Sequence, residues 1–303
     1  MYDIIVVGDY CLDLIFTGLP EMPVKGREIV GNGFDMVTGG TCNSAIAMHR
    51  LGVNVGWAAD FGNDDFSAFV LERVKEEGMD QSLFLHHPNA LRNITVSLSY
   101  SDDRAFIAYY DKAPLIPAGF KKLNEVEARA LYVPGIYYGM GMDIGNLIIR
   151  HKGMKLVMDG NSPQELRLKN RSVKKAIQSV DVFIPNATEA RRLTGCLRIE
   201  EAIQELGKLT PLVVVKDGAN GAYACTDGNV IHVPGIKVKP LDTTGAGDCF
   251  NAGFVKAWLD GMPLEDCLKW GNIVGGLSTL GRGGTGRRVT VEEVAHQMAY
   301  YNN

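Results

Sequence analysis

Short β-branched runs alternate with helical patterns along most of the chain. Asp3 to Val7 is the first such run and stops at Gly8. Others of the same kind are Val53 to Ala58, Leu131 to Val133, Lys155 to Met158, Val182 to Ile184 and Leu212 to Val215. Between several of them, apolar residues recur at helical spacing, in Asn43 to Leu51, Phe66 to Glu77, Arg171 to Ser179 and Ile199 to Leu206. Buried runs of about five residues alternating with helices predict an α/β fold in three layers, a mostly parallel sheet with helices on both faces.

Two stretches break the pattern. Ile94, Val96, Leu98 and Tyr100 alternate with Thr95, Ser97 and Ser99. A polar turn at residues 101–104 follows, and Ala105 to Tyr110 reads as the returning strand of an antiparallel hairpin. Leu14 to Val37 likewise holds short β-rich pieces divided by glycine and proline. Together they predict a small sheet that projects from the body as insertions, from about 14–37 and 92–111. The chain shows no internal repeat or long linker, so residues 1–303 are expected to form a single domain. One face of the hairpin is apolar, and a small sheet cannot bury it alone. A homodimer joined through this sheet is therefore expected.

Composition narrows the function. Hydrophobic residues make up 46% of the 303 and charged residues 22%, which excludes a mainly disordered chain. The net charge of −4 carries no bulk basic field for nucleic acid. No apolar run approaches the roughly 20 residues that span a bilayer, and the amino terminus lacks a signal-peptide pattern, so the expected location is the cytoplasm. Six cysteines form no CxxC and no cluster with histidine, which leaves buried free thiols as the expectation.

The richest chemistry lies in Leu241 to Gly253, which reads LDTTGAGDCFNAG. Gly245, Ala246 and Gly247 let the backbone approach a ligand closely. Phe250, Phe254, Val255, Trp258 and Leu259 then recur at helical spacing, so a helix begins here and its free N–H groups make an anion site. Asp248 stands in the first turn. An acid there can simply favour the helix dipole. Beside an anion site, however, an acid suits a group that takes a proton, such as a general base for a substrate hydroxyl.

DTTGAGDCFNAG resembles the C-terminal signature of the ribokinase-like (PfkB) carbohydrate kinases. Gly39-Gly40-Thr41-Cys42-Asn43 resembles their N-terminal signature, about 200 residues earlier, and the likeness runs along nearly the whole chain. It implies transfer of the ATP γ-phosphoryl group to a hydroxyl of a sugar, nucleoside or similar molecule, with Asp248 as catalytic base. The amides of Gly245, Ala246 and Gly247 would form the anion hole. Asp13, Gly39, Gly40, Asn43 and Asp248 would line the acceptor pocket, with Asp9 as a second carboxylate there or a loop cap. Asn186 and Glu189 look like the family's NxxE motif, in which the Glu acts on Mg²⁺, often through water. Lys216, Gly218, Gly221 and Asn272 would lie along the nucleotide, as would the loop Gly281 to Gly284. Gly218 and Gly221 mark either special backbone angles or a hairpin turn. Asp242 and Thr244 match positions that help hold a monovalent cation such as K⁺, although a turn-capping role for Asp242 stands level with it. Arg92 offers a cation for an acidic acceptor or a solvated lid arginine.

Rival readings are weaker. Gly281 to Gly286 satisfies GxGxxG, but no βαβ unit follows for a dinucleotide. No GxxxxGK followed by Ser or Thr is present. A catalytically silent sugar sensor, or a nucleoside kinase of the same family, remain as alternatives to a kinase of small sugars or sugar acids.

Overall fold

The six β-branched runs align as parallel neighbours in one sheet. The computed structural model describes residues 1–100, 104–114 and 117–301. From the amino terminus run β1 (Tyr2–Val7), β2 (Tyr10–Thr17), β3 (Gly33–Gly40), α1 (Thr41–Arg50), β4 (Val55–Ala58), β5 (Asp60–Phe61), α2 (Asp65–Glu76), β6 (Leu85–His86), β7 (Asn93–Ser99) and β8 (Arg104–Tyr110). There follow α3 (Ala118–Leu123), β9 (Ala128–Val133), α4 (Met140–His151), β10 (Lys155–Asp159), α5 (Arg171–Gln178), β11 (Val182–Ile184), α6 (Ala187–Thr194), α7 (Ile199–Gly207) and β12 (Leu212–Lys216). Two strands, β13 (Ala222–Thr226) and β14 (Asn229–Val233), and the helices α8 (Ala246–Leu259), α9 (Leu264–Ser278) and α10 (Val291–Tyr301) complete the chain.

The large sheet has the order β14-β13-β12-β11-β10-β9-β1-β4. Strands β12 to β4 in that order are parallel, and β13 and β14 close one edge antiparallel. Successive side chains of a strand point to opposite faces, and both faces are covered. Ile4, Val6, Ile184 and Val214 enter one core with α1, α8 and α9, while Ile5, Phe183, Val213 and Val215 enter the other with α5, α6 and α7. Burying each such side chain contributes about 1.5–3 kcal/mol, which explains why unbroken apolar runs mark these strands.

The second sheet has the order β3-β2-β7-β8. Its strands β2 and β3 extend past the expected 14–37 segment, because Tyr10 pairs with Gly40 and Leu12 with Thr38. The glycine pair of the N-terminal signature is thus the end of a strand. The turn expected at 101–104 lies outside the described residues except for Arg104. Directly paired residues share a face, so Leu14, Met36, Val96 and Ile107 stand together, next to Phe16, Phe34 and Leu98. The exposed part of this face is Phe34, Met36, Ile107 and Tyr109, at 53, 40, 61 and 52% exposure. Ile94, Val96 and Leu98, from which the apolar face was inferred, are half-buried on the same side. Among the described residues, no helix is long and apolar enough to cross a membrane.

Candidate active site

Helix α8 starts without a side-chain cap. Its N-cap is Gly245, in the left-handed region at φ +71°, and a Cβ there would strike the Gly284 backbone. The Ala246 N–H turns to the Thr243 carbonyl at 3.2 Å. By contrast, α6 is closed by a reciprocal cap: Glu189 N–H donates to Asn186 Oδ1 (2.8 Å) and Asn186 N–H donates to Glu189 Oε2 (2.7 Å). Unlike that of α6, the start of α8 is left open by its own side chains and is suited to an anion.

Asp248 is half-buried at that end. Ser44 Oγ donates to its Oδ1 at 3.1 Å, and Asn43 Nδ2 lies 3.5 Å from its Oδ2, so the start of α1 fixes the carboxylate. Burial, and then the nearby charge of Asp159, push its pKa up to about 6, although Lys216, Ser44 and Asn43 pull the other way. A carboxylate with that pKa is poised to take a proton near neutrality.

Beneath it runs a buried polar chain. Lys216 Nζ donates to Asp159 Oδ2 (2.6 Å) and Asn251 Oδ1 (3.2 Å), while Asn251 Nδ2 donates to Asp159 and to the Tyr132 hydroxyl (2.9 Å). These residues come from the ends of β9, β10 and β12 and from α8, where an open α/β sheet collects ligands. A Cβ on Gly247 would lie 3.6 Å from Lys216 Nζ, so the ammonium stands directly behind the helix start. Sequence reasoning missed Asp159, Asn251, Tyr132 and Ser44. Asp159, an acid closing an apolar strand and followed by glycine, carried a usable signal.

On one side of Asp248 lies a groove of about 260 Å³. Lys216, Gly218, Gly221 and Asn272 line it together with Ala246 and Gly247, so four expected nucleotide positions meet the expected anion hole. Gly218 and Gly221 have φ of +56° and +96°, and the turn also closes the β12–β13 hairpin, so both of its readings hold. Asn272 Nδ2 donates to the carbonyls of Val233 and Pro234, each at 3.1 Å, and so shapes the groove's wall. Asn186, the N-cap of α6 just past β11, sits beside it in a parallel backbone bridge to Lys216 at the end of β12. The loop Gly281 to Gly284 goes elsewhere. It packs on Asn43 and Gly245, where a Cβ on Gly284 would be 2.5 Å from Asn43 Nδ2.

On the other side stands the small sheet. A Cβ on Gly39 would run into the Asp13 carboxylate, so this glycine makes room for it. Burial raises the Asp13 pKa to about 6; the Cys11 hydrogen bond opposes this and the charge of Asp242 adds to it. Asn43 is buried with its Oδ1 unpartnered. Asp9 turns away toward Asp60, and burial together with that charge raises it to about 6. Arg92 is not open to an acceptor: its Nε and Nη2 donate to Asp111 at 2.9 and 3.2 Å.

A family profile described as pfkB family carbohydrate kinase matches residues 1–289. The chain belongs to this family. Ribokinase of Bacillus subtilis (strain 168) is 25% identical over 99% of this chain and 100% of its own length. The 2-dehydro-3-deoxygluconokinase of the same organism is 27% identical over 86% of this chain and 85% of its own. A putative ribokinase II from E. coli, solved with ATP and Mg²⁺, shares the fold at a TM-score of 0.81, 20% identity, and coverage of 99% and 100%. As a pfkB-family member the chain is an ATP-dependent kinase.

The E. coli structure holds Mg²⁺ with its ATP, and the donor set here fits that ion. Glu189 and Asp159 are close enough that, after burial, the Asp159 charge is what most raises the Glu189 pKa. Neighbouring carboxylates favour a cation, and Mg²⁺ suits one or two of them plus waters and phosphates; Asp159 is already paired with Lys216, so Glu189 is the carboxylate with more to offer. Among the described residues no group of three or more His, Cys, Asp or Glu forms a closed metal cage. Asp242 and Thr244, the positions the family offers to a monovalent cation, are engaged otherwise. Arg104 Nη1 donates to Asp242 Oδ1 (2.8 Å) and Thr244 Oγ1 (2.7 Å). Burial works to raise the Asp242 pKa, yet hydrogen bonds from Gly283 and Thr244 hold it below the usual value. Sequence reasoning gave Arg104 no role, since a polar turn residue carries no signal of its partner.

Proposed function

We propose that this kinase transfers the γ-phosphoryl group of ATP to a hydroxyl of a small sugar or sugar acid, with Asp248 as general base. The observation that carries the reading is the position of Asp248. It lies at an uncapped helix start beside a glycine-lined groove, with its carboxylate held by Asn43 and Ser44 of α1, the helix that follows directly from the Gly39–Gly40 end of the small sheet. The acceptor hydroxyl gives its proton to Asp248, its oxygen bonds to the γ-phosphorus, and the bond to the β-phosphate oxygen breaks to release ADP. The N–H groups of Gly245 and Gly247, with the Lys216 ammonium behind them, face the charge on the transferred group, whereas the expected Ala246 N–H is bonded to Thr243 instead. Glu189, with Asp159, would hold Mg²⁺ through water; when bound, the ion neutralises phosphate charge.

Asp13 accepts hydrogen bonds from two acceptor hydroxyls, which suits a polyol. The arginines of the lid and beside it, Arg27, Arg92, Arg104 and Arg282, each pair with a carboxylate, which disfavours a doubly charged sugar phosphate. Potassium takes no part in this reading, because the Asp242 and Thr244 side chains bond Arg104. We further read the chain as one α/β unit with the small sheet as its lid, dimeric through the lid's outer face. Its six free cysteines suit a reducing cytosol.

The test is a screen of free sugars, sugar acids, nucleosides and sugar phosphates with ATP and Mg²⁺, following ADP release. The expected substrate is a free sugar or sugar acid. Turnover confined to nucleosides would move the assignment to a nucleoside kinase. ATP binding without turnover of any acceptor would move it to a silent sensor.

A further inference from the structure

Arg104 stands at the first position of lid strand β8 and reaches across to the body. Besides its bonds to Asp242 and Thr244, its Nη2 donates to Thr243 Oγ1 at 2.8 Å. Three successive side chains leading into the anion hole are thus held by one residue of the lid. Asp242 extends the connection: its Oδ1 also accepts the Thr244 N–H (2.9 Å) and its Oδ2 accepts the Gly283 N–H (2.8 Å). The 281–284 loop and the 242–244 segment therefore meet on a single carboxylate, and Arg104 is the cation bonded to it. The pair is sheltered, with side chains 32 and 12% exposed. A second lid contact, Arg282 to Asp35 at 2.7 Å, is half in solvent and contributes less.

The electrostatic need is clear from the positions. Asp242 stands three residues before the N-cap of α8, and its charge is felt at Asp13, so an uncompensated carboxylate here would repel both Asp13 and a phosphate at that helix start. A planar guanidinium can bond a carboxylate and two hydroxyls at once, which a spherical ion or an ammonium cannot match in direction. Thr243 also lines the nucleotide groove, so the lid residue is linked through it to that groove.

We propose that Arg104 is a positioning residue for phosphoryl transfer: the closed lid supplies a tethered cation to the Asp242–Thr244 oxygens, which orders the anion-hole loop and removes the need for a free monovalent cation. This rests on the kinase reading above. Its test compares the parent, Arg104→Ala and Arg104→Lys in K⁺ and in tetramethylammonium at constant ionic strength. The parent rate is expected to agree within about twofold between the salts, whereas Arg104→Ala loses about 10–100-fold in kcat with a smaller change in KM for ATP. Millimolar guanidinium ion should stimulate Arg104→Ala and leave the parent unchanged, and Arg104→Lys should fall between them. Several-fold activation of the parent by K⁺, parental kcat in Arg104→Ala, or an equal response of parent and variant to guanidinium would overturn the proposal. The ATP-induced rise in melting temperature separates this from failure of the kinase reading, since it needs binding alone. It should be equal in the two salts for the parent and smaller for Arg104→Ala, with recovery on adding guanidinium. A chain that behaves so but turns over none of the sugars or sugar acids keeps Arg104 as the residue that orders the anion-hole loop and loses the acceptor assignment. Equal rises in parent and variant remove the Arg104 role.

Discussion

On the groove side of Asp248 the site is lined by Ala246, Gly247, Gly275 and Gly276, small residues at the facing parts of two largely buried helices. On the lid side stand charged side chains: Asp13 packed over the bare backbone of Gly39, Arg104 bonded to Asp242, and Arg282 bonded to Asp35. Backbone N–H groups fixed by helix geometry can hold a phosphate, which every ATP presents identically. The acceptor varies among kinases, and it is met by side chains that can be exchanged without moving the helices. The difference suggests that damage to the groove side will abolish transfer, and that damage to the lid side will shift affinity and coupling.

The sharpest break is Asp248→Asn, which keeps shape but cannot accept the proton. Loss of a positioned base typically costs about 10²–10⁴ in rate. Steady-state ADP release on folded protein measures it, with ATP affinity expected to be retained. A folded variant within about threefold of the parent would make Asp248 a helix-dipole acid. Stability should move the opposite way. The folded pKa of about 6 lies above the ordinary 3.8, so the charge destabilises the fold increasingly from pH 3.8 to about 6 and fully above that. The Asn variant should therefore melt higher than the parent at pH 8, and the gap should close by pH 4.

Next comes Gly245→Ala. A left-handed φ and contact with Gly284 together strain the loop by roughly 1–3 kcal/mol, and displaced N–H groups should lower kcat by about 10²-fold. A folded variant with parental kcat would place the anion site elsewhere. On the lid side, Asp13→Ala should raise the acceptor KM by about 10–100-fold and leave the KM for ATP alone, as expected for loss of hydrogen bonds to a charged group. Equal shifts in both constants would erase the contrast between the two walls.

Acidity supplies a milder test. Asp248 and Asp13 both titrate at about 6, so activity should be level above that pH and fall below it as the two carboxylates take up protons. A rate that holds constant down to pH 5 would contradict the assignment of Asp248. The smallest effect on activity is expected from Ile107→Glu on the outer lid face. Sedimentation should show a dimer in the parent and a monomer in the variant; a monomeric parent would remove the dimer.

Much of the body was legible in advance because burial is periodic. All six apolar runs became parallel strands, and the small residues before Phe250 did mark a helix start with Asp248 in its first turn. A hairpin turn at Gly218 and Gly221 was one reading, but the edge strand β14 was not foreseen, since a short strand with exposed faces lacks an unbroken apolar run. The lid's true ends were also hidden. Gly39 and Gly40 lie beyond the expected 14–37 segment, yet they pair with Cys11 and Tyr10.

What the sequence determined alone was the succession of strands and helices and the two glycine-marked segments that bring an acid to a helix start. These are local properties, set by which side chains must leave water and which backbone angles a residue tolerates. Only tertiary structure decided the partners. Arg104 reaches Asp242 across 138 positions, and Ser44 reaches Asp248 across 204. Periodicity reports that a face is buried, not which distant face it meets, so a polar residue's hydrogen-bond partner is settled only when packing brings two elements together.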